Sequence, residues 1–210
     1  EEKIDRNNIG VVDYFGLYFQ LEYLMDDVSV FLQGSGSSKG YQREEFYFYA
    51  PGDPLQYSDK ANLSGGTIKG GANWNIDAQN NIFGNVGFFS KQPNFNAVFQ
   101  NYDQFITPDD KLLNEKIVGL ELGYRSKTFD FNVNLYNTTW TDRFLYENVT
   151  INGERGEANF TGVKQVHTGV EFDGVWQLSP FVELSGMFTI GDYAYSGNVT
   201  DDAVTTNESN

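Results

Sequence analysis

The sequence contains no cysteine and a single histidine, His167, in 210 residues. Without thiols there is no disulfide framework and no thiolate metal site, and a zinc centre would have to be built mostly from carboxylates. Basic residues are scarce as well: 14 Lys and Arg stand against 29 Asp and Glu, for a net charge of −15. That balance argues against nucleic acid or an anionic membrane surface as partner, since both call for basic clusters. No apolar run approaches the roughly 18 to 20 residues of a membrane helix. The opening stretch from Glu1 to Arg6 lacks the basic and apolar regions of a signal peptide, so it reads as a mature or truncated start. The length suits one domain and is short for two well-cored ones. What is plentiful is aromatic residues and glycine: 18 Phe, 13 Tyr, 3 Trp and 22 Gly in a chain whose mean hydropathy is still −0.46.

Period two dominates the chain. Phe15, Leu17, Phe19, Leu21 and Tyr23 alternate with Tyr14, Gly16, Tyr18, Gln20 and Glu22. The same alternation returns at Val28–Leu32, Ile68–Ile76, Ile82–Phe88, Val118–Tyr124, Phe129–Leu135, Val166–Trp176 and Val182–Ile190. No charged residue sits on any of these apolar tracks. Successive side chains of a strand point to opposite faces, so the tracks predict a sheet with two chemically different sides. They predict about eight strands, several longer than the five or six residues usual in soluble sheets. Turn chemistry marks the short connections at Asp26-Asp27, Asp77-Ala78-Gln79-Asn80, Lys127-Thr128 and Ser179-Pro180. Long links are expected over roughly 42–63, 93–114 and 147–158, with a polar tail from 196 that shows no ninth strand. Short turns at one end and long loops at the other describe an all-β, antiparallel up-and-down meander, the plan of an outer-membrane barrel.

Alternation alone does not say which face is covered. Two features favour a membrane barrel over a soluble sandwich. About ten tilted residues cross a bilayer core. In addition, Tyr23, Trp74, Tyr124, Phe129 and Trp176 all fall on the apolar track beside a short turn, as rings at a headgroup level would. The opposite track then lines an aqueous interior with Glu22, Lys69, Asn73, Glu121, Arg125, Asp130, Asn132, Asn134, Glu171 and Asp173, too polar a set for a small dry core. A hydrated, salt-bridged wall is the simplest use of these residues.

The chain also resembles the barrel of TonB-dependent outer-membrane receptors, especially those of Bacteroidetes. The stretch Phe88-Phe89-Ser90-Lys91-Gln92-Pro93 looks like that family's strand end. Asn114-Glu115-Lys116-Ile117 followed by Glu121-Leu122-Gly123-Tyr124-Arg125 is similar to its recurring "PEK…ExGYR" segment, with Asn114 where the family prefers Pro. The run Phe131-Asn132-Val133-Asn134-Leu135-Tyr136-Asn137-Thr138-Thr139-Trp140 resembles the next strand, and Asn159–Val163 with Gly169–Phe172 the one after. The resemblance extends from about Asp13 to Tyr195. It implies a barrel of about 22 strands filled by a plug domain. With about eight strands, no plug, no TonB-contacting segment and no terminal aromatic at Asn210, the chain is expected to be an internal part of such a barrel.

The resemblance implies energy-dependent nutrient uptake across the bacterial outer membrane, of a siderophore, oligosaccharide or peptide. The implied partners are membrane lipid, the plug and TonB, and a surface lipoprotein in some members. Loop aromatics Tyr47, Tyr49, Tyr57, Phe95, Phe99, Tyr102 and Phe105 are candidates to stack on a ligand, with loop packing the plainer role for each. The alternatives are a soluble or surface β-sandwich binding carbohydrate or protein, and a small complete barrel whose first and last strands pair.

No enzyme is expected. Along its own strand, His167 has Gln165 and Gly169 about 7 Å away on the same face and Glu171 roughly 13 Å away, so a catalytic set would need a cross-strand partner. No cofactor or metal is expected either. The pairs Asp109-Asp110 and Asp201-Asp202 lack the EF-hand pattern, and the Gly34-Ser35-Gly36 and Gly65-Gly66 clusters open no helix for a dinucleotide.

Overall fold

The computed structural model describes residues 7–99, 113–151, 154–196 and 201–206. Eight long strands run as an antiparallel meander in a single sheet: β1 (Asn8–Leu24), β2 (Val28–Glu45), β3 (Ala61–Asn75), β4 (Asn80–Lys91), β5 (Glu115–Ser126), β6 (Phe131–Ile151), β7 (Glu154–Ser179) and β8 (Val182–Ser196). Each pairs with its sequence neighbours in the order β1 to β8, and β1 and β8 are not joined to one another. The meander is therefore as expected, while the small closed barrel is not formed: the sheet is open. Among the described residues, helix is confined to a 3-10 turn at Pro54–Gln56 and one α turn, α1 (Phe95–Val98).

Two boundaries differ from the expectation. The link over 147–158 is largely strand, because β6 and β7 run on to 21 and 26 residues as one long hairpin. Here the alternation is broken by register shifts between Trp140 and Leu145, which hid the continuation. The Asn152-Gly153 dipeptide between the two strands, favoured in two-residue hairpins, was the available signal. The tail also carries a ninth strand, β9 (Asp201–Thr206), which pairs with residues 156–160 of β7, beyond the stretch that β8 covers.

Cross-strand register joins the separate apolar tracks into one face. Tyr23 lies opposite Val30, and the row continues through Ala72, Gly84, Leu122, Leu135 and Val170 to Ile190. Of the rings expected beside the short turns, Tyr23, Trp74, Tyr124 and Trp176 fall on this face, with Trp74, Ile82 and Tyr124 in one row, whereas Phe129 lies in the β5–β6 turn and not in a strand. Charges on it stand toward the long-loop ends, among them Asp13, paired with Lys60, and Lys116, 3.0 Å from Asp142. The row also drifts. Tyr23 is one residue from the end of β1, whereas Ile190 is eight residues into β8. Taking the short turns as one level, the slip is about one residue per strand, which at 3.3 Å of rise and 4.8 Å of spacing is a tilt of about 35°.

Burial runs opposite to that of a water-soluble sheet. Trp74 (54% exposed), Phe88 (51%), Leu120 (50%) and Leu122 (53%) stand out on the apolar face. On the other face Gln33, Lys69, Asn73, Asn85, Glu121 and Asn134 are half-buried. That polar face also explains the joint abundance of aromatics and glycine. The Phe83 ring lies across Gly123, where a Cβ would come within 2.1 Å of it, and Tyr136 covers Gly169, where a Cβ would meet the hydroxyl at 2.5 Å. Rings on one strand thus cover glycines on the next, a known device for stabilising glycine within sheets.

The compact apolar core is small and sits at the long-loop end of the polar face. Tyr41, Ala61, Val98 and Phe99 are buried together, with Leu63 and Phe95 packed against them. At the other end the turns are tied by side chains. The Asp77 carboxylate accepts from the backbone N–H of Gln79 (2.7 Å) and Asn80 (2.8 Å) and from the Asn80 amide (2.9 Å). Those donors, the Asn80 side chain foremost and then the Gln79 N–H, hold its pKa below the ordinary 3.8. Stability from a lowered carboxyl is complete above the ordinary pKa and is lost as pH falls through the folded value. Asp77→Ala is therefore expected to lower the urea midpoint at pH 7 and to make no difference near pH 2. An equal loss at both would assign the turn's strength to something other than this carboxylate.

Candidate functional site

The polar face is where chemistry-bearing groups converge. Of the residues expected to line an interior, Glu22, Lys69, Asn73, Glu121, Arg125, Asn132, Asn134, Glu171 and Asp173 share this face by register. Asp130 does not lie in a strand. It closes the β5–β6 turn in the left-handed region, at φ 47°, and its carbonyl accepts from the Val175 N–H at 2.8 Å.

Part of the set surrounds a hollow of about 240 Å³ lined by Lys69, Asn85, Glu121, Asn134, Tyr136 and Glu171. Gly87 and Gly119 line it as well, with the Phe89 ring lying across Gly87. The Asn85 amide donates to Glu121 at 2.8 Å, and the Lys69 ammonium lies 5.8 Å from the centre of the Phe31 ring. Among the described residues no salt bridge joins Lys69, Glu121 and Glu171 to one another. Elsewhere on the face the Asn132 amide donates to Asp173 at 2.8 Å. Glu22, Asn73, Arg125 and Asp173 lie outside the hollow.

Beside the hollow, β6, β7 and β8 assemble an aromatic group that the sequence reading missed. The His167 ring is held between Trp140 (4.5 Å between centroids) and Tyr193 (4.6 Å), and the Tyr136 and Tyr193 hydroxyls are 2.7 Å apart. The His167 Nε2 and the Asn134 Oδ1 are buried without a hydrogen-bond partner. Trp140 and Tyr193 keep the parity of the polar track, so extending that track to the strand ends would have found them. Together these groups can hydrogen-bond and stack.

The loop aromatics divide. Tyr47 and Tyr57 are exposed, Tyr49 is half-buried, and Tyr47 meets Phe48 edge-on at 4.9 Å. Phe95 and Phe99 instead turn onto the polar face. Phe99 is 2% exposed, and both pack in the small core, so they present no free ring to a ligand. Tyr102, Phe105 and the Asp109-Asp110 pair lie outside the described residues, and Asp201 and Asp202 open β9. No family model matches the chain, and no curated protein matches it.

Proposed function

We propose that this chain is a sector of the wall of an outer-membrane β-barrel, belonging to a receptor of the TonB-dependent type. The observation that carries the barrel reading is the inverted burial in the middle of the sheet: Trp74, Phe88, Leu120 and Leu122 stand exposed on one face while Gln33, Lys69, Asn73, Asn85, Glu121 and Asn134 are half-buried on the other. In water that apolar surface far exceeds the few hundred Å² that monomeric proteins leave uncovered, whereas in a bilayer it is the solvated side. The tilt of about 35° agrees with the 35–45° of membrane barrels. A soluble sandwich would need a second sheet over the apolar face, and the described residues form only one. The receptor part of the proposal rests on the resemblance of the Phe88–Pro93, Asn114–Arg125 and Phe131–Trp140 stretches. On this reading the polar face borders the plug and the solute path, and the loops meet ligand.

The three tryptophans test the barrel reading directly. In lipid vesicles, variants retaining only Trp74 or only Trp176 are expected to be quenched by brominated acyl chains. A variant retaining only Trp140, on the polar face, is expected to respond to aqueous acrylamide instead. A monodisperse, detergent-free monomer with all three quenched by acrylamide alike would sink the proposal. The receptor part is tested by the encoded polypeptide, which is expected to carry a plug domain and further strands.

A further inference from the structure

Pro93, which cannot donate to a sheet ladder, follows the end of β4, and the chain then turns across the polar face. Asn94 caps the single turn of α1, its side chain accepting from the Ala97 N–H at 2.8 Å. The segment does not stop over its own strand. The Gln92 amide donates to the Ser37 carbonyl (3.1 Å) and hydroxyl (2.8 Å) on β2, filling the space above Gly65. The Tyr41 hydroxyl donates to the Pro93 carbonyl at 2.9 Å. The Phe95 ring reaches β1, where a Cβ on Gly10 would meet it at 3.0 Å, and stands edge-on to Tyr41 with centroids 6.0 Å apart. Ala97, Val98 and Phe99 are essentially without solvent contact. The segment therefore spans three strands, about 14 Å of sheet at 4.8 Å per strand.

We infer that residues 92–99 are a built-in seal over the β1–β3 side of the loop-end mouth. The inference rests on the reading that the polar face borders an aqueous interior. The rings at this end are packed on one another: Phe95 stands against Tyr41 and Phe99, and Tyr41, Val98 and Phe99 are buried together with Ala61. Farther along β1 the polar-face rings Tyr14 and Tyr18 are 68% and 82% exposed, so the cover ends with the segment. Among the described residues the seal is held by apolar packing and neutral hydrogen bonds.

The absence of native cysteine makes the test clean. Ala61→Cys, beneath the seal, and Tyr195→Cys, on the polar face outside it, are compared in lipid vesicles for reaction with a charged, membrane-impermeant thiol reagent. The open position is expected to react about tenfold faster or more, because the sealed one reacts only through local opening. Adding Phe95→Ala and Phe99→Ala is expected to raise the Ala61→Cys rate toward that of Tyr195→Cys. Equal rates in the otherwise natural chain would overturn the seal, and this comparison stands even if the double alanine variant does not fold. Leu120→Cys reads the underlying proposal separately: labelling as fast as at Tyr195→Cys would refute the membrane wall without bearing on the seal.

Discussion

Leu120→Arg is expected to destabilise the chain by about 2–4 kcal/mol when it is folded into a bilayer, the cost of a basic side chain on the lipid face near the midplane of a membrane barrel. Leu120 is the right probe because it stands halfway along its track, between Tyr124 at the short-turn level and Lys116 at the loop end. It is already 50% exposed, so the new side chain has room and no packing clash contributes. The same exposure makes the result decisive. In a water-solvated sheet, an exposed leucine can be replaced by arginine within about ±0.5 kcal/mol. Urea titrations of the natural and variant chains in vesicles separate the two outcomes by several-fold. Lys69→Leu on the opposite face is the control and is expected to leave insertion intact.

Arg43→Met should cost about 3–5 kcal/mol, because it removes the partner of a buried carboxylate and leaves that charge uncompensated. The Arg43 guanidinium lies 3.1 Å from the Glu45 carboxylate, with side chains only 4% and 3% exposed. The Asn8 amide, at 3.4 Å, and the Tyr47 backbone N–H, at 3.0 Å, are the further donors to that carboxylate. The pair ties the loop end of β2 to β1 and to the chain that follows. Replacing both partners with apolar residues of similar volume, Arg43→Met with Glu45→Leu, is expected to recover most of the loss, since the desolvation of two charges disappears with them. Urea unfolding of the single and double variants measures both. A single substitution costing under about 1 kcal/mol would mean that the pair is solvated and contributes as a surface bridge does.

Much of the fold is legible in the sequence because a strand repeats every two residues, so a chemically two-sided sheet writes itself as alternation. The tracks at Phe15–Tyr23, Ile68–Ile76 and Val118–Tyr124 need only local information, as does the Asp77 turn. The Arg43–Glu45 pair was not legible: it falls where alternation lapses into a stretch that reads as a link, and its hydrogen-bond partners Asn8 and Ser58 are distant in sequence. The extension of β6 and β7 past Trp140 was hidden for a related reason, since each register shift exchanges the faces and breaks the period.

Phe95 and Phe99 show the other kind of limit. An aromatic in a polar link carries the same sequence signal whether it meets solvent or packs back on the sheet. Gly10, Tyr41 and Ala61 decided which, by leaving space and apolar surface on strands that only the meander brings together. The sequence by itself determined the all-β class, the strand count through β8, the two faces and the short turns, because each is set by neighbours along the chain. Only the tertiary structure decided that the eight tracks fall on one continuous face, that the sheet stays open between β1 and β8, and that the apolar side is the exposed one. Those depend on cross-strand register and on what each face meets, and neither is encoded in a local period.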